Sequence, residues 1–476
     1  MEIPKKGKSR KDIFKDIKGL QSGDLPWRSG RCFGYAFNAG SDVEEIAKRA
    51  YSMYLMENAL DPRVYPALLR MERDVVSMSI KHLNGGEDVV GNFTSGGTES
   101  IMLAVKAARD RAARMRPEIK SPEIVIPVTA HAAFHKAAHY LNLTPVVVPV
   151  DMESFRADPA AIRHAVTGNT IMIAASAPCY GFGVVDPLRE IGEIALEHDL
   201  WLHVDGCIGV FVLAYLERLG ITVPEFDFRV PGISSISMDL HKYGFCPMGA
   251  SVVLYRDCSL RKYQMFACSE WAGYTLINTT VQSSRSGGPI AAAWAVMQYL
   301  GEDGYLKIIQ SLYEGTRSLA SGLEKTRGIH LMAWPDATLV SFRAEGVNNF
   351  HLVDCLRKRG WFVHPQLKTG EIPESLHLTV LPGNIPHIDR FIRDVREGLK
   401  EAGTMDPGPV EGAFMELIKG RDTIEDRELA EIIRAAGVVT DAVPTESEPI
   451  NSALNSMPGD LASRLIIEYY NQLFIQ

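Results

Sequence analysis

Between residues 123 and 205 the chain repeats one pattern: a short apolar run, a turn, then a segment with helical period. Residues 123–128, 146–150, 170–176 and 201–205 read as strands, and 131–141, 159–166 and 187–197 as the helices between them. Strands joined through helices pair in parallel, and a parallel sheet must be covered on both faces. The pattern predicts an α/β fold with a mostly parallel sheet. Ligands in such folds bind beyond the carboxyl ends of the strands. Asp205 stands at one such end. The stretch 237–244, between apolar runs at 233–236 and 250–255, stands at another and carries His241 and Lys242.

The flanks divide the rest. Residues 1–50 read as an extended N-terminal arm and 51–300 as a large domain. That domain opens with a helix whose Leu68, Leu69, Val75, Val76, Ile80 and Leu83 share one face, ended by Gly85 and Gly86. From Gly301 the pattern changes to a smaller C-terminal α+β domain, 301–404, with strands at 338–342, 361–364 and 376–380 and a helix at 388–399. Residues 405–476 form a tail with an amphipathic piece at 429–435 and a polar stretch at 445–449.

Composition excludes several classes. A net charge of −8 argues against a nucleic-acid binder, and the basic residues of the first twenty positions read as a solvated arm. No apolar run reaches the roughly twenty residues of a membrane span, and the N-terminus has no apolar signal region. Seven scattered cysteines form no metal-ligand spacing, so no metal site and a reducing cytoplasm are expected.

Four features point to one chemistry. Ser95, Gly96, Gly97 and Thr98 precede a helix and offer backbone N–H groups to a phosphate, although Gly-Gly turns with a hydroxyl cap are also common helix punctuation. His131 opens the next helix, as a cap or as a planar stacker. Asp205 ends an apolar strand, as a loop cap or as partner to a cationic ring nitrogen. Lys242 can take an aldehyde, but only as the free amine, so the site is expected to lower its pKa from about 10.4. Together these are four contacts to pyridoxal phosphate, an electron sink that the protein holds and orients.

The order of motifs resembles the fold-type-I pyridoxal-phosphate enzymes, in their group II decarboxylase branch, nearest its sphingosine-1-phosphate lyase members. The resemblance is carried by Thr94 to Ser100, Pro122-Glu123-Ile124, His131-Ala132-Ala133-Phe134, His203-Val204-Asp205, Phe226-Asp227-Phe228-Arg229-Val230 and His241-Lys242-Tyr243-Gly244. It implies Lys242 as the Schiff-base lysine, Asp205 at the ring nitrogen, His131 stacked on the ring, and Gly97, Thr98 and His241 at the phosphate. It also implies that Ser284 to Gly288 reaches the phosphate from a neighbouring subunit, making a homodimer with shared active sites. Ser286 stands where that loop ordinarily has proline.

Tyr180 matches a tyrosine that handles protons in bacterial lyases. With Lys242 it completes the expected catalytic pair, acting on a small amine or amino acid. Tyr35, Asp61 and Met248 fall where the lyases bind their substrate's phosphate. Two of them depart from the pattern: Met248 replaces a lysine and Asp61 a histidine, and a carboxylate repels a phosphate dianion. The expected reaction is retro-aldol cleavage of a β-hydroxy amine. Alternatives are an amino-acid decarboxylase on the same scaffold and an inactive relative serving as an interaction module.

Overall fold

The computed structural model describes residues 2–405 and 447–474. Its larger sheet has seven strands in the order β1-β7-β6-β5-β4-β2-β3: β1 (Val90–Thr94), β2 (Glu123–Pro127), β3 (Thr144–Val148), β4 (Thr170–Ser176), β5 (Trp201–Asp205), β6 (Ile233–Asp239) and β7 (Ser251–Tyr255). β3, β2, β4, β5 and β6 run parallel, and β7 runs against both β6 and β1. This is the α/β fold with a mostly parallel sheet that the alternation predicts.

Side-chain parity decides what faces what. Ile124, Ile126, Met172, Ala174 and Trp201 pack with the helices Gly97–Met115 and Ala133–Leu141. Their neighbours Val125, Ile173, Ala175, Leu202 and Val204 pack with Leu188–Glu197 and Val210–Arg218. Continuing the period of two puts His203 and Asp205 on the Trp201 face. Ser235, Ser237 and Asp239 lie beside them on β6 in the register Asp205↔Ser237. Trp201, His203, Ser235 and Ser237 satisfy one another within this buried file. Trp201 Nε1 donates to Ser235 Oγ at 2.7 Å, and the His203 ring nitrogens bond Ser235 Oγ at 2.8 Å and Ser237 Oγ at 3.2 Å.

The smaller sheet follows a separate antiparallel pair, β8 (Phe266–Cys268) and β9 (Leu276–Asn278), and a long helix, Gly287–Glu324. That helix breaks at Gly301, whose φ of 55° suits a residue without Cβ. The sheet is antiparallel, in the order β10-β11-β13-β12: β10 (Ile329–Leu331), β11 (Leu339–Ala344), β12 (His364–Gln366) and β13 (Ser375–Thr379). Beyond it, Asp354 accepts from Ser447 N and Oγ and from Glu448 N, docking the helix Glu448–Ser456, which the helix Gly459–Leu473 follows.

Three expectations need correction. The first fifty residues are not extended, since Arg10–Leu20 and Ser41–Met53 are helices, the second burying Val43 and Ala47. The run 361–364 contributes only its last residue to β12, because Trp361 turns inward to donate to Asp394 Oδ2 at 2.7 Å. β1, β8, β9, β10 and the helix Val210–Arg218 were not expected. The amphipathic piece at 429–435 and residues 445–446 of the polar stretch lie outside the described residues.

One core imidazole gives the fold a pH signature. His82 sits between Phe211 and Tyr215 and donates from Nε2 to the Phe211 carbonyl at 3.0 Å. Burial, with Arg218 adding to it, pulls its pKa down to about 3. The unfolded chain therefore takes up a proton that the folded chain refuses. On this account stability falls as the pH drops below about 6.5. His82→Phe should flatten the slope of unfolding free energy against pH by about 1.4 kcal/mol per unit between roughly pH 4 and 6, read from urea titrations. An unchanged slope would mean that His82 titrates normally in the folded chain.

Candidate active site

The carboxyl ends of β4, β5 and β6 open into a cavity of about 380 Å³ lined by Gly97, Thr98, His131, Tyr180, Asp205, Asp239, His241 and Lys242, among others. Of the residues expected from the sequence at the cofactor or as catalysts, only Ser284 and Gly288 are missing from this wall.

Lys242 is fixed by the turn after β6. Leu240 N and His241 N both donate to Ala250 O, at 3.0 and 2.9 Å. Tyr243 Oη donates to Val380 O at 2.9 Å, and Tyr305 Oη to Gly244 O at 2.8 Å, which pins the loop to the elements behind it. Lys242 Nζ lies 3.0 Å from Asp239 Oδ2, and His241 Nε2 lies 3.5 Å from the same oxygen. Asp239 was not singled out from the sequence. The signal was its spacing, since an acidic residue three before Lys242 ends β6 on the inward face.

The electrostatics reverse one expectation. Burial alone would lower the Lys242 pKa, but Asp239, Cys207 and Asp205 outweigh it and raise that pKa above the usual lysine range. Burial works to raise the Asp239 pKa, and the charges of Lys242 and His241 overcome it and hold it below the usual carboxylate range. Without a cationic ring in the pocket, Lys242 is thus an ammonium ion. Burial lowers the His241 pKa despite Asp239.

Asp205 Oδ1 accepts from Cys207 N at 3.1 Å. It is therefore a loop cap as well as a wall of the cavity. His131 is also both things: its Nδ1 accepts from Ala133 N at 3.1 Å, and this bond fixes the ring at the cavity. Tyr180 follows β4, and burial, reinforced by Tyr35 and opposed by Lys242, pushes its phenol up to about 12.

The turn before Gly97–Met115 is shaped for close approach. A Cβ on Gly97 would come within 2.7 Å of Cys207 Sγ and 2.9 Å of Asp239 Oδ2, and one on Gly96 would lie 3.5 Å from His241 Cε1. Glu99 also lines the cavity, but its carboxylate is engaged, accepting from Ser95 N and Val281 N at 2.7 and 2.8 Å. The first N–H groups of the helix have no helical acceptor and suit an anion beside His241. A phosphate seat, a flat ring at His131, a carboxylate and a lysine fit pyridoxal phosphate.

The remaining expected residues lie elsewhere. Arg285 forks onto Glu72 at 3.0 and 2.8 Å, holding Ser284 to Gly288 against residues 57–59 and away from this chain's cavity. Tyr35 packs on Phe362 and His364, a layer outside the wall. Met248 is exposed, 56 % accessible. Asp61 is clamped by Arg63 through Nε at 3.0 Å and Nη2 at 2.7 Å. Its carboxylate is therefore not the free repulsive charge inferred from sequence.

Fold and cavity together define a pyridoxal-phosphate-dependent enzyme. Residues 1–345 match the family described as the pyridoxal-dependent decarboxylase conserved domain, and 399–472 a C-terminal putative HTH domain of pyridoxal-dependent enzymes. The sphingosine-1-phosphate lyase of Oryza sativa is 37% identical over 434 residues, covering 90% of this chain and 79% of that protein. The rat sphingosine-1-phosphate lyase 1 is 35% identical over 402 residues, covering 84% and 70%. Among solved structures, the Burkholderia pseudomallei sphingosine-1-phosphate lyase superposes with a TM-score of 0.81 at 34% identity, covering 85% of this chain and 93% of that one. The chain belongs to the pyridoxal-dependent decarboxylase family, and it is a pyridoxal-phosphate-dependent lyase. Among the described residues no helix is long and apolar enough to cross a membrane.

The crowding at Gly97 can be tested directly. Gly97→Ala should weaken pyridoxal phosphate binding at least tenfold, measured by fluorescence titration of the apoenzyme, and also lower its thermal stability, because the new Cβ would press on Cys207 and Asp239. Wild-type affinity would mean that the turn does not seat the phosphate.

Proposed function

We propose that the enzyme cleaves a β-hydroxy amine between its α- and β-carbons, releasing an aldehyde and a smaller amine. The observation that carries this reading is Tyr180, a protonated phenol on the same cavity wall as Lys242. A retro-aldol cleavage needs a group that exchanges a proton with the β-hydroxyl. The relatives named sphingosine-1-phosphate lyase agree with this choice.

Pyridoxal phosphate, when bound, supplies the electron sink that makes bonds to the α-carbon labile. The chain's own residues hold and orient. Lys242 attaches the cofactor through Nζ, Asp205 pairs with its ring nitrogen, and His131 covers its face. Gly97, Thr98 and His241 seat its phosphate. Tyr180 exchanges the β-hydroxyl proton at Oη.

We further infer a homodimer in which Ser284 and Gly288 of one subunit complete the phosphate seat of the other. The support is that this segment is firmly held by Glu72 and Asn58 yet lines no part of its own cavity. Tyr35, Met248 and the Asp61 loop are assigned to the substrate's far end. There the Asp61–Arg63 pair presents a largely exposed guanidinium, which gives that loop a cation for a substrate phosphate. Seven free thiols fit a cytoplasmic setting.

A second reading, amino-acid decarboxylation, is favoured by one relative. A probable L-tyrosine/L-aspartate decarboxylase of Methanothermobacter thermautotrophicus is 31% identical over 379 residues. Phosphorylated and unphosphorylated long-chain β-hydroxy amines, with tyrosine and aspartate, should be assayed for aldehyde and carbon dioxide. Aldehyde from an amine is the expected result. Carbon dioxide without aldehyde would replace the first reading by the second. Lys242→Ala should abolish both the visible absorbance of the bound cofactor and its reduction by borohydride, and Tyr180→Phe should lower kcat roughly 10²-fold or more.

A further inference from the structure

The helix Arg10–Leu20 stands apart from the core. Ser9 caps it, accepting from Asp12 N at 3.2 Å, yet none of its residues is buried. Among the described residues its side-chain bonds stay within the segment. Lys8 Nζ donates to Asp16 Oδ2 at 2.7 Å, and Ser9 Oγ to Asp12 Oδ2 at 2.6 Å. A helix this short is marginal in water by itself, because helices in proteins are held mainly by covering an apolar face. Some surface must therefore cover this one.

The helix has such a face. At 3.6 residues per turn, Ile13, Phe14, Ile17 and Leu20 fall within about 120° of its circumference. All four are exposed, Phe14 by 54 % and Leu20 by 81 %. Lys11, Lys15 and Lys18 run along one border of this stripe. Asp12 and Asp16 run along the other, and Asp16 is paired with Lys8. Arg10 falls inside the stripe at its first turn, with its guanidinium 5.9 Å from the centre of the Phe14 ring. Its long stem lets the charged head reach outward from an apolar layer.

Charge says what kind of surface fits. The first twenty residues hold seven basic side chains against three acidic ones, although the whole chain carries a net charge of −8. A merely solvated arm accounts for the lysines but not for four large apolar side chains on one face. The matching surface is apolar at depth and negative at its rim. An anionic bilayer presents those two layers in that order, charged headgroups over acyl chains.

We propose that the helix Arg10–Leu20 docks the enzyme on an anionic lipid surface. It lies in the plane of the surface, with Ile13, Phe14, Ile17 and Leu20 in the boundary between headgroups and acyl chains. Lys11, Lys15 and Lys18 meet the headgroups beside the stripe, and Lys5, Lys6 and Lys8 add to them from the preceding stretch. Eleven residues cannot span a bilayer, which takes roughly twenty, so the contact is peripheral and reversible. Long-chain amines partition into the same layer, so docking brings the cavity to the substrates proposed above. The docking itself does not depend on that reaction.

The test is flotation of the full-length holoenzyme with vesicles of phosphatidylcholine, with and without about 30 % phosphatidylserine. Wild type should float with the anionic vesicles, stay behind with the neutral ones, and be released as salt is raised. Phe14→Ser/Ile17→Ser and Lys11→Gln/Lys15→Gln/Lys18→Gln should each weaken binding at least tenfold. All these side chains are exposed, so cofactor absorbance and thermal stability should stay as in wild type. Failure of wild type to float with anionic vesicles would overturn the proposal, as would equal binding to neutral ones or full binding by either variant. Sedimentation without vesicles covers the competing occupant, a second copy of this chain. A fall in mass in Phe14→Ser/Ile17→Ser would give the apolar face to that copy and overturn the lipid assignment, whereas an unchanged mass supports it.

Discussion

Two carboxylates end buried on adjacent parallel strands, Asp205 on β5 and Asp239 on β6, both on the face toward the helix Gly97–Met115. A buried carboxylate without a partner costs several kcal/mol. Asp239 meets that cost with Lys242 Nζ at 3.0 Å and His241 at 3.5 Å. Asp205 meets part of it with the amide of Cys207. The rest of the cavity follows from this charge pattern. The sheet end favours a cation at Lys242, and a ring with a protonated nitrogen is a second cation that the same pattern accepts. A group that is cationic at its ring and anionic at its phosphate therefore suits the β5–β6 end and the helix N-terminus together.

The charge pattern also accounts for the one electrostatic expectation that failed. A lysine that must react as an amine invites the idea of a site that lowers its pKa. In the chain alone the opposite holds, because the residues set to bind a cationic ring also stabilise an ammonium ion. Sequence reasoning considered the pocket with its cofactor, whereas Asp239 acts on Lys242 before any cofactor arrives. Asp239 was overlooked for the same reason. Read as part of a motif, it is a neighbour of Lys242. Read by strand parity, it is the last inward side chain of β6.

Much of the large sheet was legible because its strands are buried on both faces and read as continuous apolar runs. β4 and β5 were bounded correctly from sequence alone. β1 was hidden, since Gly91, Asn92 and Thr94 lack the apolar content of a buried strand; it is an edge strand pairing only with β7. The N-terminal helices were missed because their apolar positions are few, and Arg10–Leu20 buries nothing within the chain. The cavity wall was legible residue by residue, but contacts between distant segments were not. Arg285 with Glu72, and Tyr180 with His377, join residues about two hundred apart, and no local pattern announces such pairs.

Those distant pairs determine how the two sheets act as one. Lys242, Asp205 and His131 all belong to the large sheet and the loops at its end. Tyr180 shares that origin, yet its ring stacks on His377 from β13, and Gln366 Nε2 of β12 donates to the neighbouring Gly181 carbonyl at 3.0 Å. Tyr243, next to Lys242, likewise donates to Val380 just past β13. The small sheet thus touches the cavity at its lysine and at its phenol. A shift of that sheet by an ångström would move Tyr180 relative to Lys242 while leaving Asp205 and the phosphate seat in place. Asp205, His131 and the Gly97 turn are therefore placed by the large sheet, whereas the placements of Lys242 and Tyr180 depend on how the two sheets meet. Relatives that share the large sheet can in this way hold the same cofactor and differ in which bond they break.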